Sequence, residues 1–122
     1  MAFGFGEKRC RKNLPLGNMT ESNSYWQTVV DALRDRGFRF RIKRSGDDAM
    51  TEWQPWVICP VSGYVETGSL GPVPVLEVEW LDVSLNDRDG GDKSDSITTT
   101  LDAAGIAFSP TPDAIRVAPH IA

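Results

Sequence analysis

Apolar residues in the segment that begins near Ser24 recur every three or four positions, which is the spacing of one face of an α-helix. Ser24 is followed three positions later by Gln27, a capping-box pattern that predicts the first turn of this helix. Gly37 can adopt the left-handed conformation that ends a helix, so we predict that the helix stops there. The apolar face is formed by Trp26, Val30 and Leu33, flanked by Tyr25 and Val29.

The next segment changes to a period of two, which is typical of a half-buried strand. From residue 38 to residue 44 aromatic or β-branched side chains alternate with cations. The apolar members are Phe38, Phe40 and Ile42, and the cations between them are Arg39, Arg41 and Lys43. We therefore expect the apolar and cationic side chains to lie on opposite faces of this strand.

Residues 75–85 form the longest predicted strand, and their alternation changes phase once. Leu76, Val78 and Trp80 share one face, after which the apolar set becomes Leu81, Val83 and Leu85. A one-residue change of phase is typical of a β-bulge, because one extra residue moves every later side chain to the other face. The bulge is predicted near Trp80 and Leu81.

Shorter patterns complete the chain. Residues 56–59 and 65–67 are predicted strands joined by a hairpin connection at 61–64, and 106–108 and 114–117 are two more across a proline-containing turn. A second helix is predicted from about Ser94 to Gly105, with Ile97, Leu101 and Ala104 on one face.

This order of elements predicts an α+β fold. Runs of strands with hairpin-length connections favour a mostly antiparallel sheet of about five to six strands, with two helices packed on one face. Residues 20–122 are predicted to form a single domain, and residues 1–19 a flexible basic N-terminal tail. Four tryptophans are expected to supply much of the core: Trp26, Trp53, Trp56 and Trp80.

Charge is distributed unevenly along the 122 residues, although the net charge is only −4. Residues 1–44 contain ten basic and four acidic side chains, a net charge of +6, whereas residues 45–122 contain three basic and thirteen acidic ones, a net charge of −10. Two interpretations follow. The two halves neutralise each other across the sheet, or an exposed acidic face meets a basic partner.

Composition excludes several classes of function. There is no run of about 18 apolar residues for a membrane span, and no apolar stretch follows the basic N-terminal residues as a secretory signal requires. One histidine and two cysteines disfavour a disulfide framework, a zinc site and catalysis by paired histidines. A calcium loop beginning at Asp87 would place Gly91, Asp92 and Thr98 at positions that they do not suit. We therefore expect no metal and no cofactor.

Glu77 and Glu79 are the best candidates for catalysis. They share one strand face, and a small enzyme or regulatory domain could use them as general acid and base. The simpler expectation is that they form ion pairs across the sheet with Arg39, Arg41 or Lys43.

A nucleic-acid-associated accessory protein is another alternative, because the strand at 39–44 interleaves aromatic and cationic residues as base-stacking surfaces do. The expected separation of these side chains onto opposite faces, together with the overall acidity of the chain, disfavours it.

Several of these segments together resemble small cytoplasmic immunity proteins of bacterial polymorphic or contact-delivered toxin systems. The resemblance covers roughly residues 22–118. It is carried by the helix with Trp26, the Arg-Phe-Arg-Ile-Lys strand at 39–43, the Glu-Trp-Leu-Asp-Val strand at 79–83, and the segments Ala-Gly-Ile-Ala-Phe at 104–108 and Ile-Arg-Val at 115–117.

This resemblance implies a non-enzymatic, cytoplasmic antitoxin that binds and neutralises a cognate protein toxin. An acidic surface would meet a basic active-site cleft of the toxin, without a membrane and without nucleic acid. Trp53 is expected to be either an aromatic anchor of this interface or a core residue. The acidic contacts are expected in two clusters, one of Asp82, Asp87, Asp89 and Asp92, the other of Asp47, Asp48 and Glu52.

Overall fold

The computed structural model describes residues 19–47, 50–68, 71–86 and 91–121. Helix α1 spans Met19–Leu33 and so begins five residues before the predicted start at Ser24. The capping box does not form, because the Gln27 side chain donates to Asp31 Oδ1 at 2.9 Å, toward the end of the helix. Gly37 is left-handed, with φ of 79°, but the helix ends at Leu33, earlier than the predicted stop at Gly37. The predicted tail lies outside the described residues except for residue 19, which belongs to α1.

Helix α2 spans Ser94–Ala103, close to its predicted bounds. Asp92 caps its beginning, because its Oδ1 accepts a hydrogen bond from the Ser94 backbone N–H at 2.9 Å. Gly105, with φ of 72°, follows its last turn, and Ile97 and Leu101 are fully buried. The second helix is therefore confirmed, with its cap supplied by a residue just before it.

Six strands lie in the described part of the chain. In chain order they are β1 (Phe40–Arg44), β2 (Tyr64–Val65), β3 (Val73–Pro74), β4 (Val78–Ser84), β5 (Ser109–Pro110) and β6 (Ala114–Val117). Four of them form an antiparallel sheet in the order β1-β4-β6-β5, and β2 and β3 form a separate antiparallel pair. An α+β fold of two helices and antiparallel sheets is thus confirmed, with the strands divided between two sheets.

The hairpin predicted at 56–59 and 65–67 is reduced to one bridge between Ile58 and Glu66, and Tyr64, predicted to lie in the connection, belongs to β2. Beyond this bridge Tyr64–Val65 turns to pair with Val73–Pro74 instead. Pro60 and Pro74 lack the N–H groups that a longer ladder would need, which is consistent with the shortness of both pairings.

Strands β1, β4 and β6 of the larger sheet each have one apolar and one charged face. On the apolar face Phe40 lies opposite Val83, and Ile42 opposite Leu81. These side chains join a single buried cluster that also includes Trp26 and Leu33 of α1 and Ile97 and Leu101 of α2. The predicted alternation of 38–44 is therefore confirmed, because the core contains its aromatics and excludes its cations.

The predicted bulge lies between Val78 and Trp80, one or two residues earlier than expected. Lys43 pairs with Trp80 and Arg44 pairs with Val78, so Glu79 is the extra residue. Val78 therefore returns to the core, and Trp80 lies on the charged face of the sheet.

The expectation that four tryptophans fill the core is correct for Trp26 alone. Trp26 is fully buried, whereas Trp56 is 41% exposed. Trp53 and Trp80 are half-buried, each beneath an arginine on the charged face. An indole stacked on a guanidinium keeps partial contact with water, so these two side chains form a layer outside the core.

Candidate functional site

The charged face of the larger sheet is organised around one buried carboxylate. We define this face by Arg41, Lys43, Trp80, Asp82 and Arg116, with Trp53 stacked on it. Asp82 lies on the central strand β4 and pairs with Arg41 of β1 on one side and Arg116 of β6 on the other. Its side chain is 0% exposed, and it accepts hydrogen bonds from Arg41 Nε at 3.0 Å and Arg116 Nε at 2.8 Å.

The guanidinium group of each of these two arginines lies over a tryptophan ring. The Arg41 guanidinium lies 4.3 Å from the centre of the Trp53 ring, and that of Arg116 lies 4.0 Å from the Trp80 ring. Trp80 Nε1 donates to Met50 Sδ at 3.4 Å. Indole and guanidinium planes attract each other electrostatically, so each ring holds its arginine in the orientation that reaches Asp82.

Further ion pairs join the basic first half of the chain to the acidic second half. Lys43 Nζ lies 3.0 Å from Glu79 Oε1, and Arg44 Nη2 lies 2.8 Å from Glu77 Oε1. The predicted pairing of Glu79 with a strand cation is confirmed, while Glu77 pairs with Arg44, which was not among the expected partners. Neutralisation across the sheet therefore accounts for much of the charge asymmetry.

Two groups on or beside this face have shifted pKa values, Asp113 and Arg116. Burial raises the pKa of the Asp113 carboxyl. The hydrogen bond from Arg41, 3.1 Å away, and the charge of Arg41 together outweigh this effect, so the pKa of Asp113 lies below its usual value. The pKa of Arg116 is raised, chiefly by its hydrogen bond to Asp82. Both shifts stabilise the charged forms that the ion pairs require.

Stability should depend on the Asp113 charge in acid. A depressed folded-state pKa contributes stability that is present above the unfolded pKa of about 4 and is lost as pH falls through the lower folded value. We expect the Asp113→Asn variant to unfold more readily than the wild type at pH 7, by about 0.2–1 kcal/mol, because the Asp113 side chain is 59% exposed. Urea denaturation across pH should show this difference vanishing toward about pH 2. A difference independent of pH would contradict the assignment.

The residues predicted to contact a partner are placed very differently from one another. Asp82 is fully buried between two arginines, which corrects the prediction that it lies on a binding surface. Asp47, Glu52 and Asp92 are exposed. Asp48, Asp87 and Asp89 lie outside the described residues.

Asp47 and Asp92, one exposed residue from each acidic cluster, lie at opposite ends of the sheet. Asp47 follows the end of β1, which is paired with the start of β4. Asp92 bridges to Asn86, which follows the end of β4. Because a seven-residue strand is about 20 Å long, these carboxylates belong to two separate surfaces.

Asp92 and Trp53 both have structural contacts of their own. The pKa of Asp92 is lowered, chiefly by the Ser94 backbone hydrogen bond that caps α2. Trp53 is half-buried against Arg41 and lies outside the buried cluster, so of its two predicted roles only that of an interface anchor stays a prediction.

The two carboxylates considered for catalysis do not converge on one pocket. A cleft of about 180 Å³ lies beside Glu79, with Ser22, Trp26, Leu76 and His120 also in its walls, and Glu77 is not among its lining residues. Ligand sites usually occupy about 300–1,000 Å³, so this cleft would accommodate little more than a side chain.

The described cations of the basic strand engage groups within the domain. Arg41, Lys43 and Arg44 pair with carboxylates, and Arg39 Nη2 donates to the Asn86 carbonyl at 3.2 Å. Phosphate binding would have to compete with these contacts, which weakens the nucleic-acid alternative.

The described residues contain neither a candidate metal site nor a candidate membrane span. Across residues 19–47, 50–68, 71–86 and 91–121, no three histidine, cysteine or acidic side chains come together as a metal site would require. No helix in the same part of the chain has the length and apolar character needed to cross a membrane. Comparisons with family models, curated proteins and solved structures find no match to this chain.

Proposed function

We propose that this protein is a non-enzymatic immunity protein that binds and neutralises a cognate bacterial toxin in the cytoplasm. The observation that carries the proposal is the neutralisation of the basic strand inside the domain. Arg41, Lys43 and Arg44 are each tied to a carboxylate, while Asp47, Glu52 and Asp92 remain exposed. The whole chain has a net charge of −4, and residues 45–122 have a net charge of −10.

This arrangement suits an inhibitor of a cationic enzyme. Toxins that attack nucleic acids carry positive clefts, and an acidic inhibitor gains association rate and specificity from that contrast. The charged face of the sheet supports the proposal in another way, because its ion pairs and tryptophan–arginine contacts hold the side chains opposite the core in fixed positions. We place both helices on the apolar face, which would leave the ends of the sheet and its connecting loops to the partner.

The test is co-expression with the toxic product of the neighbouring gene. We expect growth to be rescued and the two proteins to co-purify. The association rate should fall about tenfold or more between roughly 50 and 500 mM salt, because steering by exposed charges is screened.

A pair of charge variants sharpens this test. Asp47→Lys should slow association more than Asp102→Lys, an equal change of net charge at an exposed position on α2. Equal effects would mean that only the overall charge matters. Absence of both a complex and growth rescue would overturn the proposal.

A further inference from the structure

Exposed apolar side chains are concentrated in one part of the described chain. The large ones are Trp56, Val61, Tyr64 and Leu76, all within residues 56–76. Val61 is 60% exposed and Leu76 is 51% exposed. Three of them lie together around β2 and β3, and with Pro74 we call them the apolar patch: Val61, Tyr64, Pro74 and Leu76.

Strand register brings the members of the apolar patch together. Tyr64 of β2 lies opposite Pro74 of β3, while the neighbouring pair, Val65 and Val73, points into the core. Leu76 follows in the 3₁₀ turn Val75–Glu77. The Val75 N–H donates to the Gly63 carbonyl at 2.9 Å, which holds that turn against the loop carrying Val61 and Tyr64.

Helix α1 holds this loop in place. Asn23 Oδ1 accepts a hydrogen bond from the Gly63 N–H at 2.7 Å, and Asn23 Nδ2 donates to Ser62 Oγ at 3.3 Å. The Tyr64 N–H donates to the Val61 carbonyl at 3.2 Å and closes the turn. A loop fixed in this way loses little conformational entropy when a partner binds.

The cleft described above adjoins the apolar patch, since Leu76 forms part of its wall together with Val75 and the buried Trp26. Its volume of about 180 Å³ is sufficient for one large side chain of a partner. Interfaces gain most of their energy from a few side chains inserted into such pockets. The exposed side chains of the apolar patch and the cleft that can receive a partner side chain therefore lie side by side.

The carboxylates around the apolar patch are more exposed than the cations that pair with them. Glu79 in the cleft wall is 42% exposed, whereas its partner Lys43 is 15% exposed. Glu77, beside Leu76, is 45% exposed and Arg44, its partner, 39%. Asp47 belongs to the same end of the sheet, because the Ser45 N–H donates to the Glu77 carbonyl at 2.8 Å.

We propose that the apolar patch and its cleft are the docking site for the cationic toxin, which would insert an apolar side chain flanked by lysine or arginine. This inference rests on the proposed function and specifies the surface that performs it. Apolar burial supplies affinity at the centre, and the carboxylates of Asp47, Glu77 and Glu79 meet the cations around it.

The experiment measures the affinity of the purified toxin for variants of the patch. Leu76→Ser and Tyr64→Ser should each weaken binding about 30-fold or more, as loss of an anchor does. Trp56→Ser is the matched control, since Trp56 is 41% exposed, close to the 38% of Tyr64, but is not part of the apolar patch, and it should change affinity about threefold or less. Hydrogen exchange should show new protection at 61–64 and 75–77 in the complex.

The possible results distinguish the two proposals. If the toxin binds and both patch variants retain wild-type affinity, the docking site is wrong and the immunity function stands. If the toxin does not bind the wild-type protein, both proposals fail. Thermal unfolding checks that each variant is folded. If Tyr64→Ser unfolds, the affinity of Leu76→Asp alone tests the docking site. This variant should stay folded, because Leu76 is about half exposed to water within a 3₁₀ turn.

Discussion

Asp82→Asn should lower the free energy of unfolding by about 3 kcal/mol, the low end of the range for breaking a buried ion pair. The substitution preserves shape, so no cavity forms and the loss is electrostatic. Without the carboxylate charge, the guanidinium groups of Arg41 and Arg116 face each other across β4 with no anion between them. We expect the low end because these arginines, 14% and 26% exposed, retain some contact with water.

Glu79→Gln is the control for this prediction. Glu79 lies on the same strand and also pairs with a cation, but its side chain is 42% exposed. Its neutralisation should cost about 1 kcal/mol or less. Urea denaturation at pH 7 measures both variants. Equal effects would show that burial does not set the strength of the central pair, and our account of the charged face would then be wrong.

Trp26→Ala should cost about 3–5 kcal/mol, the largest effect that we expect from any single tryptophan. Trp26 is fully buried in the cluster that joins both helices to the sheet, so its removal leaves a cavity that the surrounding strands cannot easily close. In a domain of this size a loss of that magnitude approaches the total stability, and the variant is expected to unfold partly at ambient temperature.

Trp56→Ala supplies the comparison, because its ring is 41% exposed and outside the buried cluster. We expect a change of about 0.5 kcal/mol or less, as at most surface positions. Denaturant midpoints, together with near-ultraviolet circular dichroism, test both substitutions. Similar losses for the two residues would contradict the distinction that the fold draws between them.

Elements with strong local signals could be predicted from the sequence. The alternation at 38–44 predicted a strand with cations outside, and the segment from Ser94 to Gly105 predicted a helix. Both signals depend only on side-chain spacing and on glycine, which act over a few residues. The start of α1 was missed, because Ser24 and Gln27 fit a capping box but the helix continues to Met19.

The candidate site was much harder to predict. Asp82, Arg41 and Arg116 are separated by 41 and 34 residues along the chain, and only strand register brings them together. An aspartate next to apolar strand residues looks the same in sequence whether it faces water or two arginines. The apolar patch was missed for a similar reason, since Tyr64 belongs to a predicted hairpin connection and Leu76 to a predicted strand face, and neither local pattern shows which side chains become neighbours.

Local chemistry alone determined the α+β class, the second helix, the amphipathic first strand and the division of charge between the two halves of the chain. Tertiary structure decided which of those charges form ion pairs with each other, which tryptophan lies in the core, and which apolar side chains are exposed to water. The physical reason is the distance along the chain over which each kind of interaction acts. Helix and strand patterns arise from contacts within a few residues, whereas burial and ion pairing depend on which distant strands become neighbours.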